Sequence, residues 1–247
     1  MDAYGKGRAT GYGRLWALAL AALLGACATN SPPHRDGAPA ERTFTLSDLA
    51  KSEIDKVAEA HLDHSMASLR LVMGKLYRRN PRELAKGVAP TADAAIARAF
   101  DPGLAWRFPE LEGKYGTDAL HLAFAPEYTG DRVFAFIAGL GGMIHQAYNG
   151  QQEFHLFDQL DPQNLYNAAR NVEIAVWKLS TARDAGNELL LLSNEAGPDV
   201  RNLSFEREFG KLIAYQDLLA RLLAQRSNRT LRFVVQNAAS AVFLPIH

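Results

Sequence analysis

The chain has 247 residues with 27 basic and 27 acidic side chains, and apolar residues make up 48% of it. Because it has no net charge, it has no overall field that would attract nucleic acid, and we expect no nucleic-acid partner. Its length and apolar content suit one domain around a single buried core. The one cysteine excludes a disulfide within the chain.

The first residues have the layout of a secretory signal. Lys6, Arg8 and Arg14 form a positive region, and the apolar segment from Leu15 to Leu24 follows it. That segment falls well short of the ~20 residues that a membrane-spanning helix needs. Small residues then lead to Cys27. An ordinary signal peptide that contains a cysteine by chance is the alternative interpretation.

The sequence Leu24-Gly25-Ala26-Cys27 resembles the lipobox of bacterial lipoproteins. The resemblance implies that residues 1–26 are a cleaved signal peptide and that the Cys27 thiol and the new amino terminus carry lipid. Several acyl chains anchor a protein firmly, so the implied partner is a membrane. In the sorting rule of such lipoproteins, Asp after the cysteine retains the protein at the inner membrane. Ala28 therefore favours the outer membrane.

Residues 27–45 follow as a stretch dominated by Pro, Ser, Gly and charged residues. Such a composition is typical of a disordered tether. As a flexible coil of this length it would span roughly 20–25 Å. We therefore expect the helical domain, residues 46–247, to stay close to its membrane, together with its partners.

Apolar residues from Leu46 onward recur every third or fourth position, which predicts an all-α fold, a single-domain multi-helix bundle. Ser47 is a candidate N-cap for the first helix. The other predicted boundaries come from caps, prolines and glycines. The first predicted helix runs from Ser47 to Asn80, and a short one capped by Asn80 runs to Lys86. The others run from Ala92 to Phe100, Asp118 to Ala125, Arg132 to Tyr148, Pro162 to Leu179, and Ser204 to Gln225.

Three further segments carry separate expectations. Residues 104–116 look irregular, and Trp106, Phe108 and Leu111 should hold this loop against the core. Residues 188–193 fit a buried helix or a strand equally well. Residues 231–244 are apolar nearly all round and predict a largely buried C-terminal helix, although their valines keep a strand open as the alternative.

Four groups of residues are candidates for chemistry. His61 and His64, beside Glu59 and Asp63, lie about one helical turn apart and could share a cation such as zinc. The commoner arrangement is one boundary histidine and one solvated histidine. Gly139, Gly141 and Gly142 lack the Lys-Ser/Thr of a phosphate loop. Ala135, Gly139 and Gly142 fall on one helical face instead and predict close packing of this helix against a neighbouring backbone.

The other two groups are charged or polar. A basic cluster could contact anionic lipid or simply favour the end of a helix; it contains Lys75, Arg78, Arg79, Arg82 and Lys86. Scattered titratable groups could converge in the fold; they are His121, His145, His155, Glu153, Asp158 and Asp161. A polar, aromatic neighbourhood between two helices is a possible ligand rim; it contains Tyr148, Gln151, Gln152, Asn164, Tyr166 and Asn167.

None of these groups forms a recognised catalytic or cofactor motif. We therefore predict no catalytic residue, metal or cofactor, and Cys27 is the one site residue, through lipidation. The favoured function is a lipid-anchored interaction or assembly component of the cell envelope, with an envelope protein as a possible partner. The alternatives are a periplasmic binding protein for a hydrophobic or haem-like ligand and an envelope hydrolase without a recognisable motif.

Overall fold

Helices provide nearly all of the regular structure in the computed structural model, which describes residues 53–154, 160–196, 201–233 and 242–247. Within these residues there are seven α-helices and a two-residue antiparallel β-ladder. The elements are α1 (Glu53–Arg79), α2 (Pro81–Leu84), α3 (Ala92–Ala99), α4 (Thr117–Phe124), α5 (Arg132–Ala147), α6 (Pro162–Thr181), β1 (Glu195–Ala196), β2 (Arg201–Asn202) and α7 (Ser204–Arg226). The all-α multi-helix prediction is confirmed.

Side-chain caps explain where three of the helices begin. Thr91, Asp131 and Asp161 each accept a hydrogen bond from a backbone N–H in the first turn, at 3.1, 2.9 and 2.8 Å. Those N–H groups would otherwise have no partner inside the helix. Pro162 occupies the first position of α6, where its missing N–H is not needed. From Ala92 to Arg226 the observed boundaries lie within two residues of the predicted ones.

Helix α5 lies at the centre of the fold and packs against α1, α2, α3, α4 and α6. Every residue from 132 to 144 is buried. Gly139 is required by the contact with α4, because a Cβ atom there would lie 2.8 Å from the backbone nitrogen of Leu120. The glycines of this helix therefore permit close backbone packing, as predicted.

The start of α5 is held by one buried arginine. The Arg132 guanidinium donates hydrogen bonds to four carbonyls in the last turn of α4 and the loop that follows it, at 2.7–2.8 Å for three of them and 3.4 Å for the fourth. The accepting residues are Ala123, Ala125, Pro126 and Tyr128. Its backbone N–H donates to the Glu83 carboxylate at 2.9 Å. Polar contacts of this kind fix the direction in which an otherwise apolar helix enters the core.

The irregular loop between α3 and α4 is held against the core as predicted. Trp106, Phe108 and Leu111 are all buried. Two 3₁₀ turns, Pro102–Leu104 and Pro109–Leu111, shape the loop. Each begins with a proline, whose fixed φ suits the first position of a helical turn. Residues 188–193, which fitted helix or strand equally well, form neither; Leu189 only makes an isolated bridge with Arg183.

The predicted C-terminal helix is wrong at both of its ends. Residues 231–233 and 242–247 have no regular secondary structure, and residues 234–241 lie outside the described residues. The physical reason is visible in residues 244–247, whose backbone groups bond to side chains of α5 and α6. A helix would use those groups internally, so the side-chain partners favour an extended backbone instead.

The predictions for residues 1–26 and 27–45, including Cys27, and for a helix start at Ser47 lie outside the described residues. All described residues belong to one unit, Thr45–His247. Among them, no helix combines the length and the apolar character needed to cross a membrane.

Candidate functional site

A cleft of about 420 Å³ opens between α1, the loop after α3 and the end of α5. Its volume falls within the range of small-molecule pockets. Apolar side chains and polar side chains both line it. The apolar ones are Leu62, Met66, Phe100 and Trp106, and the polar ones are Asp63, Arg70, Asp101, His145 and Gln152.

The wall formed by the loop has a strained backbone. Ala105 and Trp106 have φ angles of +46° and +62°, in the left-handed region that residues other than glycine rarely adopt. The strain places the Trp106 ring against Gly141 of α5, where a Cβ atom would overlap the ring. It also sets Trp106 edge-on to Phe100, with 5.1 Å between ring centroids. Gly141 is therefore explained by the cleft wall rather than by helix packing alone.

Arg70 and His145 are the basic side chains in the cleft, which Asp63 and Asp101 also line. The Arg70 guanidinium lies 4.2 Å from the centre of the Phe100 ring, a cation–π contact. His145 is half-buried, and its Nδ1 atom has no hydrogen-bond partner within the described residues. Burial lowers the pKa of His145, and the backbone of Gly150 opposes this effect. Burial therefore favours the neutral imidazole.

A second site lies on α6, where three asparagines occupy one face. We call Asn164, Asn167 and Asn171 the amide ladder. Their spacing of three and four residues places them on the same side of a helix. All three are buried. Each donates a hydrogen bond to a main-chain carbonyl of residues 244–247, with distances of 2.6, 2.9 and 2.8 Å in chain order.

Two rungs of the ladder are reciprocal. Asn171 donates to the Leu244 carbonyl and accepts from the Leu244 N–H at 2.6 Å. Asn164 does the same with His247, whose N–H donates at 3.2 Å. Pro245 has no N–H, so Asn167 only donates to it. The freed Asn167 Oδ1 accepts from Gln163 at 2.9 Å.

Two glutamines extend the same pattern. Gln146, near the end of α5, donates to the Ile246 carbonyl at 2.8 Å. Gln163, beside the ladder, accepts from the Arg232 N–H at 2.9 Å and donates to the Arg232 carbonyl at 3.2 Å. Carboxamide side chains therefore hold two separate stretches of main chain on this side of the molecule.

The bound segment, residues 242–247, inserts two of its side chains and exposes three. Phe243 is buried and lies edge-on to His121, with 5.0 Å between ring centroids. Ile246 is partly buried against the core. Val242, Pro245 and His247 are exposed. The segment thus sits on α6 as an extended peptide would, with its backbone bonded and two apolar side chains inserted.

The structure places His61 and His64, the predicted metal pair, beside an aromatic ring of α7. His61 is half-buried and His64 is exposed, which is the commoner arrangement described above. Their rings lie 5.3 and 5.9 Å from the Tyr215 ring of α7. In the described ranges, no three or more His, Cys, Asp or Glu side chains are placed to hold a metal ion. The zinc hypothesis therefore has no third ligand there.

The predicted basic cluster is partly occupied by contacts within the domain. Lys75 donates to the Ser204 carbonyl at 2.7 Å, and Arg79 pairs with Glu195 at 3.1 Å. Lys86 pairs with Glu83 at 2.6 Å. Arg78 and Arg82 are exposed. Any contact with anionic lipid would thus depend on these two arginines.

The scattered titratable groups have separate partners. His121 contacts Phe243, His145 lines the cleft, and Asp161 caps α6. Glu153 is exposed, and His155 and Asp158 lie outside the described residues.

The polar, aromatic neighbourhood divides between the two sites. Asn164 and Asn167 belong to the ladder, whereas Gln152 lines the cleft. Tyr148 is fully buried against Phe154. Tyr166 lies edge-on to Phe233.

Sequence reasoning missed Asn171, Gln146 and Arg70. The spacing of Asn164, Asn167 and Asn171 was the available signal, because three carboxamides on one face of an otherwise apolar helix need partners. Arg70 gave no such signal, since an arginine on a helix is usually solvated.

Comparison with known proteins gives no relative for this chain. No protein-family model, no curated protein and no solved structure matches it.

Proposed function

We propose that this protein is a lipid-anchored component of the bacterial cell envelope, held at the outer membrane and facing the periplasm. Its helical domain acts in interaction or assembly with another envelope protein. The lipobox ending at Cys27 supports the anchor, and Ala28 supports the outer membrane. The amide ladder carries the proposal of an interaction role.

The ladder supports binding because of what it contacts. Its hydrogen bonds go to main-chain atoms, which every protein partner also possesses. A purely structural contact on a buried helix face can be made with apolar side chains, without the desolvation of three carboxamides. Asparagines that pair with an extended backbone are therefore suited to recognising one.

The anchor is tested by labelling cells with radioactive palmitate. We expect Cys27→Ser to abolish labelling and to leave the precursor uncleaved by the lipoprotein peptidase. Ala28→Ser is the matched control and should label normally. Ala28→Asp should move the protein from the outer- to the inner-membrane fraction. Unchanged labelling of Cys27→Ser would contradict the proposal.

The interaction role is tested by crosslinking in intact envelopes. We expect the native protein to co-purify with a specific envelope protein and an Asn171→Ala variant to lose it. Gln225→Ala removes an exposed carboxamide on α7 and is the control. Identical crosslinked partners for both variants would show that the ladder does not carry the interaction.

The cleft favours a second candidate function, the binding of a small amphipathic molecule. Its lining combines apolar side chains with the basic groups of Arg70 and His145. Titration with sodium dodecanoate in a Trp16→Phe/Trp177→Phe background, followed by Trp106 fluorescence, tests it. We expect a saturable change that Arg70→Gln weakens and Arg221→Gln does not. A change that does not saturate, or one equal in both variants, would exclude this function.

A further inference from the structure

The bound segment matches the amide ladder in length as well as in chemistry. From Asn164 to Asn171 a helix rises about 10.5 Å, at ~1.5 Å per residue. From Leu244 to His247 an extended chain advances about 10 Å, at ~3.3 Å per residue. The two end rungs therefore coincide with the two ends of the segment, which runs antiparallel to α6. Any extended peptide offers its backbone groups at this same repeat.

The groove is wider than the segment that occupies it. Beside the ladder lies an open space of about 630 Å³, bounded on one side by residues 229–232 and on the other by residues 244–247. Gln163 faces this space and already bonds a second stretch of main chain at Arg232. The carboxamide surface is thus able to hold more chain than the six residues 242–247.

The side chains of the segment define which peptides fit. Phe243 fills a buried position beside His121, and Ile246 packs against the core three residues later. Pro245 suits the middle position because Asn167 only donates a hydrogen bond there, and the proline carbonyl can accept it. The pattern is therefore an aromatic residue, an aliphatic residue, proline and a second aliphatic residue in an extended conformation.

We propose that the amide ladder is a binding site for an extended peptide of a partner protein with this aromatic-aliphatic-proline-aliphatic pattern. Residues 242–247 occupy the site as an intramolecular competitor. The inference deepens the proposed interaction role and rests on it. The partner peptide displaces residues 242–247 and forms the same main-chain hydrogen bonds with Asn164, Asn167 and Asn171.

The loss of peptide affinity caused by intramolecular competition can be calculated. A tethered segment acts at an effective concentration on the order of millimolar. A free peptide that binds the empty ladder with a Kd of about 10–100 μM would therefore bind the full chain roughly 10- to 100-fold more weakly. This ratio distinguishes a competitor from a segment that is simply part of the fold.

The test uses a fluorescent hexapeptide, Val-Phe-Leu-Pro-Ile-His, blocked at both ends. Its affinity is measured for the full chain, for a chain lacking residues 242–247, and for the full chain with Phe243→Asp, which removes the buried aromatic anchor. We expect binding at least 10-fold tighter in both altered chains. Adding Asn171→Ala to either should weaken binding at least 10-fold, whereas adding Gln225→Ala should not. A peptide with Asp in place of Phe should not bind.

Three results would overturn the proposal. The first is equal affinity for the full and altered chains, and the second is binding that Asn171→Ala leaves unchanged. The third is loss of cooperative unfolding in both altered chains, which would make residues 242–247 a structural element. A domain-swapped dimer seen by size-exclusion chromatography would assign the ladder to a second copy instead. Because these measurements use purified protein, failure of the palmitate-labelling test would leave their outcome unaffected.

Discussion

Helices α5 and α6 are both largely buried, but their buried faces carry different kinds of side chain. The interior of α5 is apolar, and its close contacts depend on glycines such as Gly139 and Gly141. The buried face of α6 includes Asn164, Asn167 and Asn171, which hydrogen-bond to an extended segment. Shape therefore determines what packs against α5, and hydrogen bonding determines what lies on α6.

The difference separates a structural helix from a binding helix. Contacts fixed by shape are lost together when a neighbour moves, because a dense core has few alternative packings. Hydrogen bonds to a main chain can be exchanged one peptide for another at little net free energy. We therefore expect substitutions in α5 to lower global stability and substitutions of the three ladder asparagines of α6 to loosen one segment.

The largest effect is expected at Arg132, the polar start of α5. Arg132→Leu removes the hydrogen-bond donor to four carbonyls, and the bonds lost at Ala123 and Tyr128 are buried. Each buried carbonyl that loses its donor costs about 1–3 kcal/mol, and we expect a total loss of about 3–5 kcal/mol in unfolding free energy. Urea denaturation followed by circular dichroism measures it.

Arg221→Leu is the control for this experiment, because Arg221 is exposed on α7. Its effect should stay within about 0.5 kcal/mol, as for most surface substitutions. Equal losses in the two variants would contradict the structural role of Arg132.

A smaller loss is expected at Gly139. Gly139→Ala places a Cβ atom 2.8 Å from the Leu120 nitrogen and 3.1 Å from the Gly116 carbonyl oxygen. Neither backbone atom can move without shifting α4, so we expect a loss of about 2–3 kcal/mol. Gly210→Ala in α7 is the matched control, because a Cβ atom there meets nothing within 4 Å. It should stabilise the protein by about 0.5–1 kcal/mol, since alanine favours a helix.

The helices of this fold could be predicted because local signals determine them. Asp131 and Asp161 cap α5 and α6 directly before the predicted helix starts at Arg132 and Pro162. The failure at residues 231–233 and 242–244 has a physical origin. Apolar composition predicts burial, but the conformation there depends on carboxamides about 70 to 100 positions earlier in the chain, which no local pattern reveals.

The sites were less accessible to sequence reasoning than the fold. Asn164 and Asn167 were identified as polar residues between helices, but their partners come from the far end of the chain. The cleft depends on the left-handed backbone at Ala105 and Trp106, which nothing in their residue types predicts. Long-range pairing and local strain are both consequences of the assembled fold.

On α6 we expect a modest and local effect. Asn171→Ala leaves the Leu244 N–H and carbonyl without their partner and should lower the unfolding free energy by about 1–2 kcal/mol. Hydrogen exchange should accelerate at the Leu244 and His247 amides while amides of α5 remain protected. Gln225→Ala should change neither rate. Uniform acceleration throughout the domain would show that the ladder is as structural as α5.

The last expected effect is a dependence of stability on pH at the start of α5. Burial raises the pKa of Asp131 from 3.8 to about 6, and Glu83 adds to the shift, whereas hydrogen bonds from Tyr77 and Phe134 oppose it. A raised carboxyl pKa means that the folded state binds the proton more tightly than the unfolded state. The ionised form therefore lowers stability above pH 6, and this penalty disappears as the pH falls towards 4.

Asn can cap the helix and has no charge, so Asp131→Asn should remove the penalty. We expect the variant to be more stable than the native chain by about 1–3 kcal/mol at pH 7–8, with the difference vanishing between pH 6 and pH 4. Thermal or urea unfolding across this range measures the difference. A constant difference at all pH values would mean that Asp131 acts only as a cap, and that the polar start of α5 tolerates a buried charge.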